Sequence, residues 1–536
     1  MNNDKTDVVI IGAGLAGITT ALELLDSGFA ITLVDGSSGQ ALGGQANEAF
    51  GGMLLINTPE QSRNRIQDSP ELLLEDWLTA ARFGDGDRWG RAWASLYAEK
   101  NRSMIYDWLH DRGIRFVPSV QWVERGLYGD GNRRPRYHIA WGCGRGVVQT
   151  LIRQLEQHPS RDRLTILRNH RVQTLTQDAG GVTGCRGQTE DGKPFEITAD
   201  NTVVCTGGIN GNLEKVREHW DACYGPAPEN LLAGSSPDAD GALHDQVDAI
   251  GGQVVNLHWM WNYAAGVRHP QPQFEHHGLS LIPPRSALWM DCYGRRIGPM
   301  PLVTGFDTHD LCKQIGHLPN QYSWQVMNRR IAVRELAVSG TDSNPDFRDG
   351  KLLKVVWHAL RGGNPALMDW LIAECPDVVV ADTPEQLAQA MAGVDGTVPV
   401  DTAGMIADLQ AWDDQLACSS RLANDDQIRR LQHLHQWGPD KLRTCNLQPI
   451  LDPKAGPLIA IREQLISRKS MGGIRTDLES RVLDASDQPI PGLYAAGEAA
   501  GFGGGGISGI RSLEGTFLSN CILNGRRAAQ SISGRL

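Results

Sequence analysis

Apolar positions near the start of the chain fall in short uncharged blocks rather than at helical spacing. Val8-Val9-Ile10-Ile11 is β-branched throughout and reads as a buried parallel strand. A glycine-spaced segment, Gly12-Ala13-Gly14-Leu15-Ala16-Gly17, leads into a helical stretch, and Ile31-Thr32-Leu33-Val34-Asp35 reads as a second strand. A helical region follows over about 70–113, where Trp77, Trp89, Trp93 and Trp108 read as packing anchors. Further on, the pattern predicts a helix over 145–157, a strand over 164–175, a hairpin turn at Asp191-Gly192 and a strand ending at Gly207-Gly208. Asp240-Gly241 precedes a helix over 242–250, which Gly251-Gly252 stops. From about 255 the βαβ rhythm gives way to clustered prolines, histidines and tryptophans, then to predicted helices over 322–339, 364–374, 384–392 and 403–417. The rhythm resumes near 450. The expected fold is therefore α/β: a discontinuous Rossmann-like dinucleotide domain (1–255 and 446–536) with an inserted α+β cap (256–445).

The first glycine segment has a chemical reading. Gly12 permits a tight turn, Gly14 leaves the backbone bare for phosphate, and Gly17 lets the helix approach the strand. The helix N-terminus offers free N–H groups and positive dipole to a pyrophosphate. Asp35 stands where a carboxylate accepts from a ribose diol. Gly43-Gly44 and Gly51-Gly52 then favour an extended flavin dinucleotide, FAD, which must thread past close backbone. Near the other end, Gly497-Glu498, the glycine run 503–506 and Ile507-Ser508-Gly509-Ile510-Arg511-Ser512-Leu513-Glu514-Gly515-Thr516 suit the redox ring of the same cofactor. A helix starting near Leu513 is expected to aim its positive end at flavin N1 and O2. The expected cofactor positions are Gly12, Gly14, Ala16, Gly17, Asp35, Gly43, Gly44, Gln45, Gly51, Gly52, Val172, Gly207, Gly497, Glu498, Ser512, Leu513 and Thr516.

Composition narrows the class. The chain has 536 residues and a formal net charge of −11, with no long charge run, which argues against nucleic acid and anionic membranes as partners. No apolar stretch reaches the length of a membrane span, and no signal segment is evident. Ten cysteines are scattered without CxxC spacing, which excludes compact zinc, haem or iron–sulfur motifs and suggests the cytoplasm. His276-His277 has no acid partner, so no metal is expected.

With these segments in view, the chain resembles the flavoprotein superfamily of fumarate reductase, succinate dehydrogenase, L-aspartate oxidase and 3-ketosteroid-Δ1-dehydrogenase, in the branch of FAD-binding dehydrogenases beside the ketosteroid enzymes. The matching stretches are Gly12 to Gly17 with Asp35, Gly43-Gly44 with Gly51-Gly52, Val203 to Gly208, Asp240-Gly241, Ser470-Met471-Gly472-Gly473-Ile474-Arg475-Thr476-Asp477, and 492–527. The resemblance implies a mobile cap over the flavin and an arginine, here Arg511, that binds a substrate carboxylate or carbonyl. Gln45 stands where relatives can carry a flavin-linked histidine, implying non-covalent FAD. Arg468-Lys469 replaces a histidine of the dicarboxylate enzymes, and Gly294-Arg295-Arg296-Ile297-Gly298 lacks the glutamate of their proton relay. These departures argue against fumarate or succinate. The tyrosine-bearing C-terminal pattern of the ketosteroid enzymes is also missing. Tyr322 and Arg329-Arg330 occupy the region from which relatives supply a proton-transfer residue.

A flavin desaturase removes a hydride from one carbon and a proton from its neighbour, so it needs an electrophile toward a carbonyl and a base toward the α-carbon. Arg511 is the expected electrophile, with Arg468, Lys469, Tyr322 and Arg330 as further catalytic candidates. The expected function is FAD-dependent dehydrogenation, or the reverse reduction, of a C–C bond beside a carbonyl. A flavin monooxygenase or amine oxidase on a related fold is the alternative, and a non-catalytic flavin-binding protein is a third reading. The expected partners are a carbonyl-activated small molecule, apolar in its body, and an electron acceptor that the sequence leaves unnamed.

Overall fold

The computed structural model describes residues 3–37, 41–298, 301–394, 396, 398–418 and 422–536. Two sheets organise it. Asn3–Ile11 is the heart of the first: Ile31–Asp35 pairs parallel on one side and Pro194–Val204 on the other. Leu164–Arg168 extends the sheet beyond Ile31–Asp35, and Pro489–Ala495 extends it beyond Pro194–Val204, both parallel. The uncharged run of Asn3–Ile11 is what this central place requires, and Val8, Val9 and Ile10 are wholly buried. Every residue of the helix Leu15–Leu25 is buried, and the helix packs against the last one, Thr516–Ile532. The parallel sheet thus draws strands from both ends of the chain, as the discontinuous pattern predicts.

The second sheet is antiparallel along its main path, ordered Leu288–Met290, Tyr322–Asn328, Leu458–Ser470, Met260–Arg268, Gly278–Ile282, Ala337–Val338. Val378–Ala381 also pairs with Leu458–Ser470. Helices Pro365–Glu374, Pro384–Gly393, Thr402–Ala417 and Asp426–Leu434 contribute buried residues to the same core, around Trp324, Met368, Leu409 and Trp412.

Four expectations are corrected. The helix over 322–339 is instead the strand Tyr322–Asn328 followed by the short helix Arg329–Glu335. Asn328 is the switch: its side chain accepts from the Ile331 N–H at 3.0 Å, capping the helix. The strand over 164–175 breaks at Asn169, which is left-handed (φ 56°), into Leu164–Arg168 and His170–Asp178. The last helix begins at Thr516, not near Leu513, because Gly515 is left-handed (φ 99°) and ends the preceding loop. The central strand of the second sheet, Leu458–Ser470, lies beyond the expected cap boundary at 445. No helix among the described residues is long and apolar enough to cross a membrane.

A buried carboxylate ties the cap together. The fully buried Asp377 accepts from the Arg268 N–H at 2.7 Å and from Arg462 Nε and Nη2 at 2.9 and 2.7 Å. Removing one partner of a buried pair leaves the other charge uncompensated. Asp377→Ala is therefore expected to cost about 3–5 kcal/mol of stability, read by denaturant unfolding; a loss under about 1 kcal/mol would contradict this role.

Candidate active site

The glycines of the first loop do three different jobs. A Cβ on Gly12 would lie 2.4 Å from the Cys205 carbonyl oxygen, and one on Gly17 would lie 2.1 Å from the Gly12 carbonyl oxygen. Both positions are closed by backbone. At Gly14 a Cβ would meet nothing within 4 Å, and Gly14 caps Leu15–Leu25 without any side-chain bond to its free N–H groups. Bare backbone beside open space at a helix N-terminus is a cradle for a pyrophosphate. Ala16 lies in the first turn of that helix. Asp35 ends its strand with one carboxylate oxygen held by the Ala13 N–H at 2.8 Å and the other by the Ser37 N–H at 3.0 Å. Val172 is buried with Val34 on the neighbouring hairpin. Gly43 follows the same loop, with its N–H on the Ala13 carbonyl at 2.8 Å. Gly44 is exposed beside Gly14. Gln45 donates its amide to Ser235, and so offers no nucleophile to a flavin.

The segments expected to hold the redox ring come from both ends of the chain and meet in the structure. The Leu54 N–H donates to the Gly515 carbonyl at 2.7 Å, joining the strand Gly52–Leu54 to the loop before Thr516–Ile532. Gly51 is closed off by the backbone at Cys143, and Gly52 by the Tyr137 ring, which also lies against Gly515. Ser512 and Thr516 share a hydroxyl bond of 2.8 Å, and Leu513 is buried between them in the chain. Gly497 is left-handed (φ 71°) and leads to Glu498, which accepts from the Ser470 N–H at 2.9 Å. Burial pushes the Glu498 carboxyl up to about 7, against the opposing effects of that bond and of Lys469. Gly207 is left-handed too (φ 80°), in the loop that brings Gly208 against Ser470 and Glu498. The run 503–506 behaves differently from expectation: Gly503 and Gly504 pack against Trp93 and Gly506 against Trp259, so these glycines make room for tryptophans.

Of the catalytic candidates, Lys469 and Arg468 reach this end. Lys469 pairs across the sheet with Trp261, and its ammonium lies 4.0 Å from the centre of the Phe517 ring. Burial pushes it down to about 8, although the Glu514 carboxylate opposes this. Arg468 donates to the Gly234 carbonyl at 2.8 Å and lies over Tyr263. Arg511 is buried but committed to protein. Its Nη2 is 2.6 Å from Asp307, a carboxylate that also caps the cap helix Thr308–Gly316, and its Nη1 is 3.5 Å from Asp130. This pairing corrects the expectation of an arginine open to substrate. Tyr322 packs in the cap core near Trp324 and Arg462. Arg330 is paired at the surface with Asp452 at 2.9 Å. The structure does not bring Tyr322 or Arg330 to the cluster, because both follow the cap strand and helix that replace the expected single helix.

A further group of residues meets there, drawn from separate segments of the chain. Glu514 accepts from Trp261 Nε1 at 2.8 Å and from the Tyr263 hydroxyl at 3.0 Å on one oxygen. Tyr137 completes the group. Burial, with Glu514 nearby, holds both phenols above the ordinary tyrosine value, so both are protonated at neutral pH. Tyr263 lies in an aromatic-rich stretch and Glu514 in the C-terminal glycine segment, whereas Tyr137 carries no local signal; only the fold joins the three.

The glycine geometry separates packing from cofactor binding. Gly14→Ala is expected to leave the stability of the apoprotein within about 0.5 kcal/mol while weakening FAD binding at least about tenfold. Gly17→Ala is expected to cost the apoprotein about 1–3 kcal/mol. Thermal unfolding and FAD titration read the two effects; equal behaviour of both variants would contradict the assignment.

Comparison with known proteins agrees with this geometry. Residues 7–518 match the FAD binding domain family. A KsdD-like steroid dehydrogenase of Mycobacterium tuberculosis is 38% identical over 98% of this chain and 95% of its own length. Among solved structures, a 3-ketosteroid Δ1-dehydrogenase from Sterolibacterium denitrificans covers 100% of both chains with a TM-score of 0.72 at 16% identity. The open conformation of a flavocytochrome c3 fumarate reductase covers 99% of this chain and 78% of its own, with a TM-score of 0.68 at 20% identity. The two structures share the fold. The chain belongs to the FAD binding domain family, and it is an oxidoreductase whose cofactor is FAD.

Proposed function

We propose that the substrate is a flat, apolar ketone of the steroid type, and that the enzyme removes or adds hydrogen across the C–C bond beside its carbonyl. The observation that supports this most is the meeting of Tyr137, Tyr263 and Lys469 around Glu514, next to the start of Thr516–Ile532. Similarity to steroid dehydrogenases over nearly the full length of both chains supports it too. When bound, FAD would supply the acceptor or donor of the hydride. The protein's own groups handle the proton and the carbonyl. Tyr137, protonated and with no hydrogen bond among the described residues, donates to the carbonyl oxygen. Tyr263 takes the α-proton at its hydroxyl oxygen as its own proton passes to Glu514 along the 3.0 Å bond; the reverse path serves reduction. Trp261 steadies that carboxylate oxygen. Lys469 places a cation beside the ring site below its pKa of about 8. FAD is held without a covalent bond, since Gln45 has no nucleophilic atom, and acid treatment is expected to release it. The ten cysteines are all free thiols, which favours the reducing cytoplasm as the compartment.

Anaerobic mixing of the holoenzyme with 3-ketosteroids tests the reading. Bleaching of the yellow flavin by at least one of them is expected; no bleaching by any, with the flavin intact, would contradict it. Tyr137→Phe is expected to lower turnover by about 10²–10³. Lys469 loses its proton as the pH rises, so turnover that depends on its charge falls through about pH 8. Lys469→Met is expected to remove that limb from the pH profile; an unchanged limb would assign it to another group.

A further inference from the structure

Behind Tyr137 the cap holds a cluster of three arginines and two acids. Asp440, fully buried, pairs with Arg125 and with Arg285, the latter at 2.9 Å. Glu335 is filled by four donors: the N–H groups of Arg285 and Ser286 at 2.9 and 3.0 Å on one oxygen, and the Ser286 hydroxyl and Cys445 N–H, both at 2.6 Å, on the other. The third guanidinium, Arg443, is half-buried in the same segment, between buried Asp440 and buried Thr444 and Cys445. Burial lowers its pKa, with the Glu335 carboxylate the main effect opposing this and Tyr137 a lesser one. Arg443 has neither a hydrogen bond nor an ion pair among the described residues. Three guanidiniums against two carboxylates leave this cluster with one positive charge in excess, and Arg443 lies close enough to Tyr137 for its charge to act on it; the Tyr137 ring lies against Gly52 and Gly515.

A cation half withdrawn from water and without a partner gains from a ligand that pairs with it. A guanidinium offers a carboxylate two parallel bonds. The excess is a single charge, and Glu514 stands nearby on the flavin side, so a monoanion suits the place better than a phosphate dianion. Arg511 does not compete for this role, since Asp307 already holds it at 2.6 Å.

We propose that Arg443 anchors a carboxylate on the substrate, so that the compound turned over is an apolar, flat ketone bearing one acid group rather than a neutral steroid. This deepens the proposed function and, for the ketone part, rests on it. The anion site itself is tested separately, by calorimetric titration of the holoenzyme with 2-naphthoate and its neutral isostere 2-naphthamide. Naphthoate is expected to bind at least tenfold more tightly than the amide. Arg443→Gln is expected to abolish that preference and Arg443→Lys to keep part of it, with flavin content unchanged in both. In the ligand-free holoenzyme, Arg443→Gln is expected to unfold at the same or a higher temperature, since it removes an unmatched charge. Equal binding or no binding of the two probes by the wild type, a preference that survives Arg443→Gln, or a lower unfolding temperature of that variant would overturn the proposal. An acid preference that Arg443→Gln removes, combined with no flavin bleaching by any ketone, acidic or neutral, would uphold the anion site and sink the ketone reading.

Discussion

The structure depends on one close approach between the two ends of the chain. A Cβ on Gly525 would fall 2.6 Å from the Ala16 carbonyl oxygen, and the Thr20 hydroxyl sits 3.2 Å from the Gly525 carbonyl. Helix Leu15–Leu25 and helix Thr516–Ile532 therefore touch backbone to backbone, and no side chain holds them apart. The parallel pairing of Pro489–Ala495 with Pro194–Val204 delivers the last helix to this contact. The positive N-terminal ends of these two helices lie at Gly14 and at Gly515.

Around that frame the buried charges divide into spent and unspent. Asp377 is spent on Arg268 and Arg462, and Asp307 on Arg511. These pairs fix the cap and its seam with the flavin domain. Lys469 and Arg443 are different: each lies where burial lowers its pKa, and neither has a direct ion pair among the described residues. Unspent charge beside aromatic rings and a cofactor cradle is the property expected of a binding site rather than of a scaffold.

How much of this was legible in the sequence follows from how local each signal is. The loop from Gly12 to Gly17 is a local device, and its three glycines have the separate steric jobs that their spacing implies. Sequence pattern predicts helix over Tyr322–Asn328 although the segment carries aromatic and β-branched residues and the Asn328 cap; pairing with Leu458–Ser470 makes it a strand, and pairing is not local. The sequence makes Arg511 the expected electrophile, but its partner Asp307 comes from a distant loop, and that partner changes its chemistry. Tyr137, Glu514 and Arg443 belong to three separate segments, so only the folded chain makes them a group.

Hydrogen–deuterium exchange of the apoprotein with and without FAD tests the central claim most directly. If the two ends grip one cofactor, the amides of 12–17 and of 511–518 slow together on FAD binding, at the same FAD concentration. Slowing at one segment while the other exchanges unchanged would contradict the account.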